Sequence, residues 1–278
     1  MVKEAILDYL IYNSRVYSTK EIDIWPNTER VSIYEVIRII DGIPLYLEEH
    51  LERLAKSAKL LNVKLNRTYE ELTDEIKKLI EINDENNLNV KILCVAEGGE
   101  VEELYIYFIK SFYPPELMYR EGIHTIAYES ERQNPNAKTF NGSFKKGIAI
   151  ELERRNAFEA LLVNNDGQIT EGSRSNLFFV KDEKLFTSPA HEVLLGVTRS
   201  KIIELCSQSS IDIIEQEISL DSISKYEGAF ITGTSINVLP IKNIDGIGFD
   251  LSKNDIINKI IEIYEKDKQN YINKRRNI

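Results

Sequence analysis

Asp41-Gly42 stands between two apolar runs, IYEVIRII and IPLYL, and two turn-forming residues in that setting predict a β-hairpin. Directly beyond it, LEEHLERLAKSAKLL carries Leu47, Leu51, Leu54, Ala58 and Leu61 at helical spacing. A second helix is predicted over about 69–82, and VKILCVAE, Gly98-Gly99 and EVEELYIYFIK read as another hairpin. Farther on, strands at roughly 123–129, 160–164, 175–180 and 211–217 alternate with helices at 143–156, 198–208 and 253–270. Hairpins mixed with crossovers fit a purely doubly wound parallel sheet badly and fit an α+β chain of two domains better.

The pair Pro114-Pro115 marks the division. Two prolines forbid helix continuation, and apolar patterning resumes only beyond Gly122. The expected organisation is a smaller N-terminal α+β domain at 1–113, a linker at 114–120 and a larger C-terminal α+β domain at 121–278. PNTER around Pro26 and NPNAK around Pro135 read as turns.

With 278 residues, each half can bury a core of its own. The formal net charge of −10 repels phosphate backbones and anionic membranes, so neither nucleic acid nor a lipid surface is expected as a partner. The opening MVKEAILDYLIYN interleaves charges with apolar residues and reads as neither a signal peptide nor a membrane span. Cys94 and Cys206 are far apart, and His50, His124 and His191 are scattered, so no metal site is expected and a reducing cytoplasm is the simplest location.

Five further segments are unremarkable one at a time. A lone lysine in AKTFNG is ordinarily solvated, TEGSRSN can be a plain β-turn, and the arginine of HLERL can face water on an amphipathic helix. LLGVTRSKIIEL looks like a helix start with Thr198 as N-cap, and FITGTSINVLP like a strand ending in a turn. In this order, together with YEVIRIIDGIPLYLEEHLERLAKSAKLL, the series resembles the class IV aminotransferase family, the pyridoxal-phosphate (PLP) enzymes of fold type IV. That family includes branched-chain and D-amino-acid aminotransferases and aminodeoxychorismate lyases. The resemblance covers about 30 to 245 and rests most on TEGSRSNLFFV and HLERLAKSAKLL.

The resemblance implies two α/β domains with the PLP site at the domain interface, and a homodimer. Lys138 falls at the Schiff-base lysine, which must become a neutral amine to form and release an imine. Glu171 falls at the carboxylate facing the pyridine nitrogen, where it keeps the ring an electron sink. Arg53 matches the phosphate-binding arginine, Val197 and Thr198 the amides of an anion-binding helix start, and Thr234 with Ser235 further phosphate contacts. Leu194 matches an apolar residue packed on the ring, and Tyr34 a position facing the substrate.

The chain also departs from the family pattern. ERVSIYE replaces the usual phenylalanine-Gly-Asp-Gly turn, Ser143 stands where several branched-chain enzymes carry a tyrosine, and Glu97 stands where some members carry an arginine for the substrate carboxylate. Strand alternation puts Tyr34, Val36 and Arg38 on one face. With Tyr34 facing the substrate as the resemblance implies, Arg38 is a candidate carboxylate partner. The amides of the TGTS turn are one alternative, and an Arg38 paired to a structural acid at the sheet's edge is the other. The expected reaction moves an amino group between a branched-chain or other hydrophobic amino acid and a 2-oxo acid. A 4-amino-4-deoxychorismate lyase and a D-amino-acid aminotransferase are the alternatives within the family. A binding protein built on the same fold would have lost Lys138 or Glu171, and both are present.

Overall fold

The computed structural model describes residues 4–22, 30–132 and 134–276, so most of the PNTER turn lies outside the described residues. The chain divides into two compact units. One comprises Met1–Phe112, Ala137–Asn141 and Lys268–Ile278, the other Tyr113–Asn136 and Gly142–Asp267.

The first unit contains β1 (Tyr9–Tyr12), β2 (Arg15–Ser18), β3 (Val31–Ile40), β4 (Ile43–Pro44), α1 (Leu47–Leu60), α2 (Tyr69–Asn83), β5 (Asn89–Glu97) and β6 (Glu100–Ile109). Its six strands form one antiparallel sheet in the order β2-β1-β6-β5-β3-β4. Alternation sorts the side chains. Ile33, Ile37, Ile39, Val90, Ile92, Cys94, Leu104, Ile106 and Phe108 form a core with Leu51 and Leu54 of α1 and Leu72, Ile76 and Leu79 of α2. The intervening residues build a second cluster in which Tyr34 packs against Leu93, Val95, Tyr105 and Tyr107. Asp41 and Gly42 both have positive φ, 50° and 78°, which is what a two-residue hairpin turn requires. Helix α2 opens with a capping box between Thr68 and Glu71.

The second unit contains α3 (Glu116–Glu121), β7 (Ile123–Glu129), α4 (Gly142–Arg154), β8 (Glu159–Val163), β9 (Ile169–Gly172), β10 (Asn176–Lys181), β11 (Lys184–Thr187), α5 (Val197–Gln208), β12 (Ile213–Glu215), β13 (Gly228–Gly233), β14 (Asn237–Ile244), β15 (Ile247–Gly248) and most of α6 (Asp255–Arg276). Its sheet runs β12-β11-β10-β13-β14-β7-β8-β9, with β15 paired to β14. Parallel pairs (β11 with β12, β14 with β7, β7 with β8) sit among antiparallel ones. That mixture is the α+β architecture expected from the sequence.

The linker expected at 114–120 holds helix α3 instead. Pro115 occupies its N-cap, where a proline has no helical hydrogen bond to lose, and Met118 and Tyr119 pack on the core of the second unit. The tract expected to be one C-terminal domain also gives up two pieces to the first unit. Ala137–Asn141 lies along the edge of β3, with Tyr34 N–H donating to the Lys138 carbonyl at 3.1 Å and Phe140 N–H to the Ser32 carbonyl at 3.0 Å. An open strand edge offers unpaired backbone groups, and residues 138–140 satisfy them.

The other piece is the end of α6. Tyr46, the N-cap of α1, is left-handed and makes no side-chain cap. The Tyr271 hydroxyl fills that role by accepting the Leu47 N–H at 3.0 Å, and it lies 2.8 Å from Glu48 Oε2. Tyr271→Phe leaves this helix start without its acceptor, and we expect a loss of about 1–2 kcal/mol in denaturant unfolding.

Candidate active site

On the first unit, Lys138 is half-buried and its backbone is pinned twice, by Tyr34 and by the Ser57 hydroxyl that accepts its N–H at 3.1 Å. Its Nζ lies 4.8 Å from the centre of the Tyr34 ring. Beneath, on the helix-facing side of β3, Glu35 is fully buried. Arg53 grips it with two nitrogens, Nε to Oε1 at 2.8 Å and Nη2 to Oε2 at 2.7 Å, and His50 Nδ1 reaches Oε2 at 2.8 Å. Burial alone would push the Glu35 carboxyl up, but the charge and hydrogen bonds of Arg53, with His50, hold it at about 2. Burial, with the charges of Arg53 and Lys138, keeps the His50 imidazole below its ordinary value despite Glu35. The His50 contact is therefore a hydrogen bond from a neutral ring whose Nδ1 carries the proton, and Arg53 is the counter-ion.

Arg53 is thus neither a solvated helix residue nor a lone guanidinium: the core side of β3 fixes its fork. Tyr34 and Arg38 share the opposite face as alternation predicts, but Arg38 Nη1 donates to the Asn87 carbonyl at 2.5 Å, toward the end of the strand. Glu97 is exposed and paired with Arg30 at 3.2 Å.

On the second unit, Glu171 is the penultimate residue of β9 and is 2% exposed. Its Oε2 accepts the Leu194 N–H at 3.0 Å and the Asn176 amide at 3.3 Å. Its Oε1 forms an ion pair with Arg132 Nε at 2.8 Å. Arg132 also donates to the Ser173 carbonyl at 2.7 Å and lies over the Phe144 ring. The turn after Glu171 closes on a second buried acid, Glu159, which accepts the Ser173 and Ser175 hydroxyls at 2.6 and 3.0 Å. A Cβ at Gly172 would fall 2.0 Å from the Ser175 oxygen, so a side chain there would push that hydroxyl from its place at Glu159.

Asn176 carries the arrangement onward by donating to the Leu194 carbonyl at 2.7 Å. It lies so close to Gly196 that a Cβ there would meet its oxygen at 2.1 Å. Helix α5 starts at Val197 with Gly196 as N-cap and no side-chain cap, which corrects the expected Thr198 cap; Thr198 is buried in the first turn. Thr234 and Ser235 are half-buried in the tight turn between β13 and β14. So Lys138, Tyr34, Arg53 and Arg38 belong to the first unit, and Glu171, Leu194, Val197, Thr198, Thr234 and Ser235 to the second.

Residues 32–244 match the model of the amino-transferase class IV family, and the chain belongs to that family of PLP-dependent aminotransferases. It is 30% identical over 226 residues to a D-alanine aminotransferase of Bacillus licheniformis, covering 77% of this chain and 79% of that one. It is 29% identical over 227 residues to a putative branched-chain-amino-acid aminotransferase of Methanocaldococcus jannaschii, covering 77% and 78%. Among solved structures it resembles the Escherichia coli branched-chain amino acid aminotransferase with a TM-score of 0.81 at 23% identity, covering 92% of both chains. It also resembles a putative 4-amino-4-deoxychorismate lyase of Legionella pneumophila with a TM-score of 0.77 at 20% identity, covering 86% and 92%. Both likenesses are likenesses of fold.

The residues present fit PLP. The donor set comprises an amine, a buried carboxylate with a fixed counter-ion, and a helix start with no side-chain cap, a natural anion site. Next to Asn176 in the β10–β13 ladder, the buried Thr232 hydroxyl has no partner among the described residues.

Sequence reasoning missed Glu35, His50, Arg132 and Asn176. Glu35 was findable, because an acid on the apolar face of a strand demands a cation, and His50 and Arg53 sit three apart on the next helix. For Glu35 and His50 alike, the folded-state value lies below the unfolded one, so each contributes stability that is lost as pH falls. Melting temperature should begin to decline as pH falls below 6.5, the ordinary value of His50, and more steeply below 4.5, that of Glu35. His50→Gln should remove the upper part of this decline and leave the lower. Arg132→Met deprives Glu171 of its counter-ion, and we expect PLP affinity, read by fluorescence titration, to drop by about tenfold or more; Arg132→Lys should restore part of it.

Proposed function

We propose that this protein transfers the amino group of a branched-chain or other hydrophobic amino acid to a 2-oxo acid. The observation that carries this reading is the combination of Lys138 beside Tyr34 with a buried, arginine-paired Glu171, within a chain of the class IV family. The branched-chain enzymes among its relatives support the choice of substrate, as does the aromatic character of the Tyr34 surroundings, where Tyr107 and Phe140 also lie.

PLP, when bound, supplies the carbonyl that takes up the amino group and the ring that receives the electron pair left at the substrate Cα. Lys138 would hold the cofactor through its amine and, once released, would take up the proton from the substrate Cα as general base. Glu171, paired with Arg132, would hold a proton on the pyridine nitrogen of the bound cofactor. Arg53, fixed by Glu35, would be the first unit's phosphate ligand, and the amides of Val197 and Thr198 with the hydroxyls of Thr234 and Ser235 would be the second unit's. Leu194 would pack on the ring, and Tyr34 would face the substrate.

The protein works as a homodimer in the cytoplasm in this reading. Two buried free thiols, Cys94 and Cys206, suit a reducing compartment, and no helix among the described residues is long and apolar enough to cross a membrane. Identity to the D-alanine aminotransferase supports a second reading with D-amino acids, although Glu97 stands where some members carry a carboxylate-binding arginine.

The purified protein should be yellow, and a panel of L- and D-amino acids should bleach it selectively with the true substrates. Branched-chain L-amino acids are expected to lead; response to D-alanine alone would select the second reading, and pyruvate release from aminodeoxychorismate a lyase. Lys138→Ala should abolish turnover and leave PLP bound without a covalent link, read by its removal on dialysis; retained activity with an unchanged spectrum would refute the assignment.

A further inference from the structure

Lys91 on β5 is 1% exposed, which is costly for an ammonium unless the fold provides an anion. It lies on the Tyr34 face of the first unit's sheet, across from Val36 in the β3–β5 ladder. Three aromatic rings surround its Nζ: Tyr34 at 5.1 Å, Phe140 at 5.2 Å and Tyr107 at 5.9 Å to their centres. The anion is Glu4, whose Oε1 is 2.6 Å from Lys91 Nζ and whose Oε2 accepts the Tyr107 hydroxyl at 2.7 Å.

An ammonium and a phenol thus take one oxygen each of a single carboxylate, in a setting of aromatic rings. Lys91 and Tyr107 are built into the middle of the sheet. Glu4 comes from the short stretch ahead of β1, which is tied to β6 by the Ala5–Ile109 bridge and by Ile6 N–H donating to the Phe108 carbonyl at 3.2 Å. Its side chain is 31% exposed, so it can leave without opening the core. The Tyr34 ring that contacts Lys91 also lies 4.8 Å from Lys138 Nζ, so the buried ammonium and the proposed catalytic amine adjoin the same ring. The other charges considered for a carboxylate are committed elsewhere, Arg38 to the Asn87 carbonyl and Glu97, an acid, to Arg30.

We propose that Lys91 and Tyr107 bind the substrate carboxylate, and that Glu4 is an internal carboxylate occupying this position until substrate displaces it. The proposal rests on the transaminase reading, since the ligand it names is the carboxylate of an amino acid or 2-oxo acid. Exchange of one carboxylate for another never leaves Lys91 unpaired, so the buried charge stays compensated through the swap. Glu4 therefore weakens substrate binding by competition, while Lys91 and Tyr107 supply the affinity.

The test is calorimetric titration of the PLP-loaded enzyme with isocaproate, a branched-chain carboxylate with no amino or oxo group to react. Glu4→Gln should tighten binding several-fold. Lys91→Met should weaken it by about tenfold or more, the loss of a charge-assisted contact, and Lys91→Arg should recover part of it. In the Lys91→Met background, Glu4→Gln should bring no tightening. Unchanged affinity in Glu4→Gln overturns the proposal, and that variant decides the matter alone if Lys91→Met fails to fold. Failure of the transaminase reading looks different: the wild type then turns over no amino acid, whatever the titrations of the variants give.

Discussion

Glu35 is a full negative charge placed where the alternation of β3 calls for an apolar residue, and the first unit is arranged around neutralising it. A carboxylate buried without a cation would take up a proton or leave the core. Helix α1 answers with Arg53, which meets both oxygens, and His50, which donates as a neutral ring. That constraint acts on the rotation of α1 against the sheet together with the burial of Leu51 and Leu54. It also immobilises an arginine whose long side chain would otherwise lose considerable freedom on gripping a ligand.

The second unit repeats the device with other residues. Glu171 and Glu159 are both buried acids, and each organises a turn: Glu159 through two serine hydroxyls, Glu171 through a backbone amide, an asparagine and an arginine. Arg132 and Asn136 lie within the few residues ahead of Lys138. Arg132 pairs with Glu171, and Asn136 donates to the carbonyls of Ala190 and Val193, just before Leu194. Within the second unit, residues 132–136 are thereby tethered to Glu171 and to the loop that leads into Leu194.

What the sequence made legible was local. Periodicity located the hairpin at Asp41-Gly42, helices α1 and α2 and strand β7, because each is dictated by turn chemistry or by a face that must be buried. Lys138 and Glu171 were singled out through the order of motifs, which physics alone does not supply. Contacts between distant segments stayed hidden. Nothing near Lys138 tells that 138–140 will pair with β3, nothing near Glu4 that it will meet Lys91, and nothing near Pro115 that the second proline of a pair will start a helix. Arg38 illustrates the limit: alternation placed it on the correct face, but its partner, the Asn87 carbonyl, is a tertiary matter.

The first unit is assembled from three separated stretches, and its helix α1 is capped by a hydroxyl 224 residues farther along the chain. During synthesis, at about 5–20 residues per second, Leu47 waits roughly 10 to 45 s for Tyr271 to be made. The strand pairing that pins Lys138 can form well before that, because it needs nothing beyond Phe140. A nascent chain therefore holds the lysine's backbone in register while the start of α1 still lacks its final acceptor. The proposed catalytic lysine is set early, and the last stretch of α6 completes the unit that carries it.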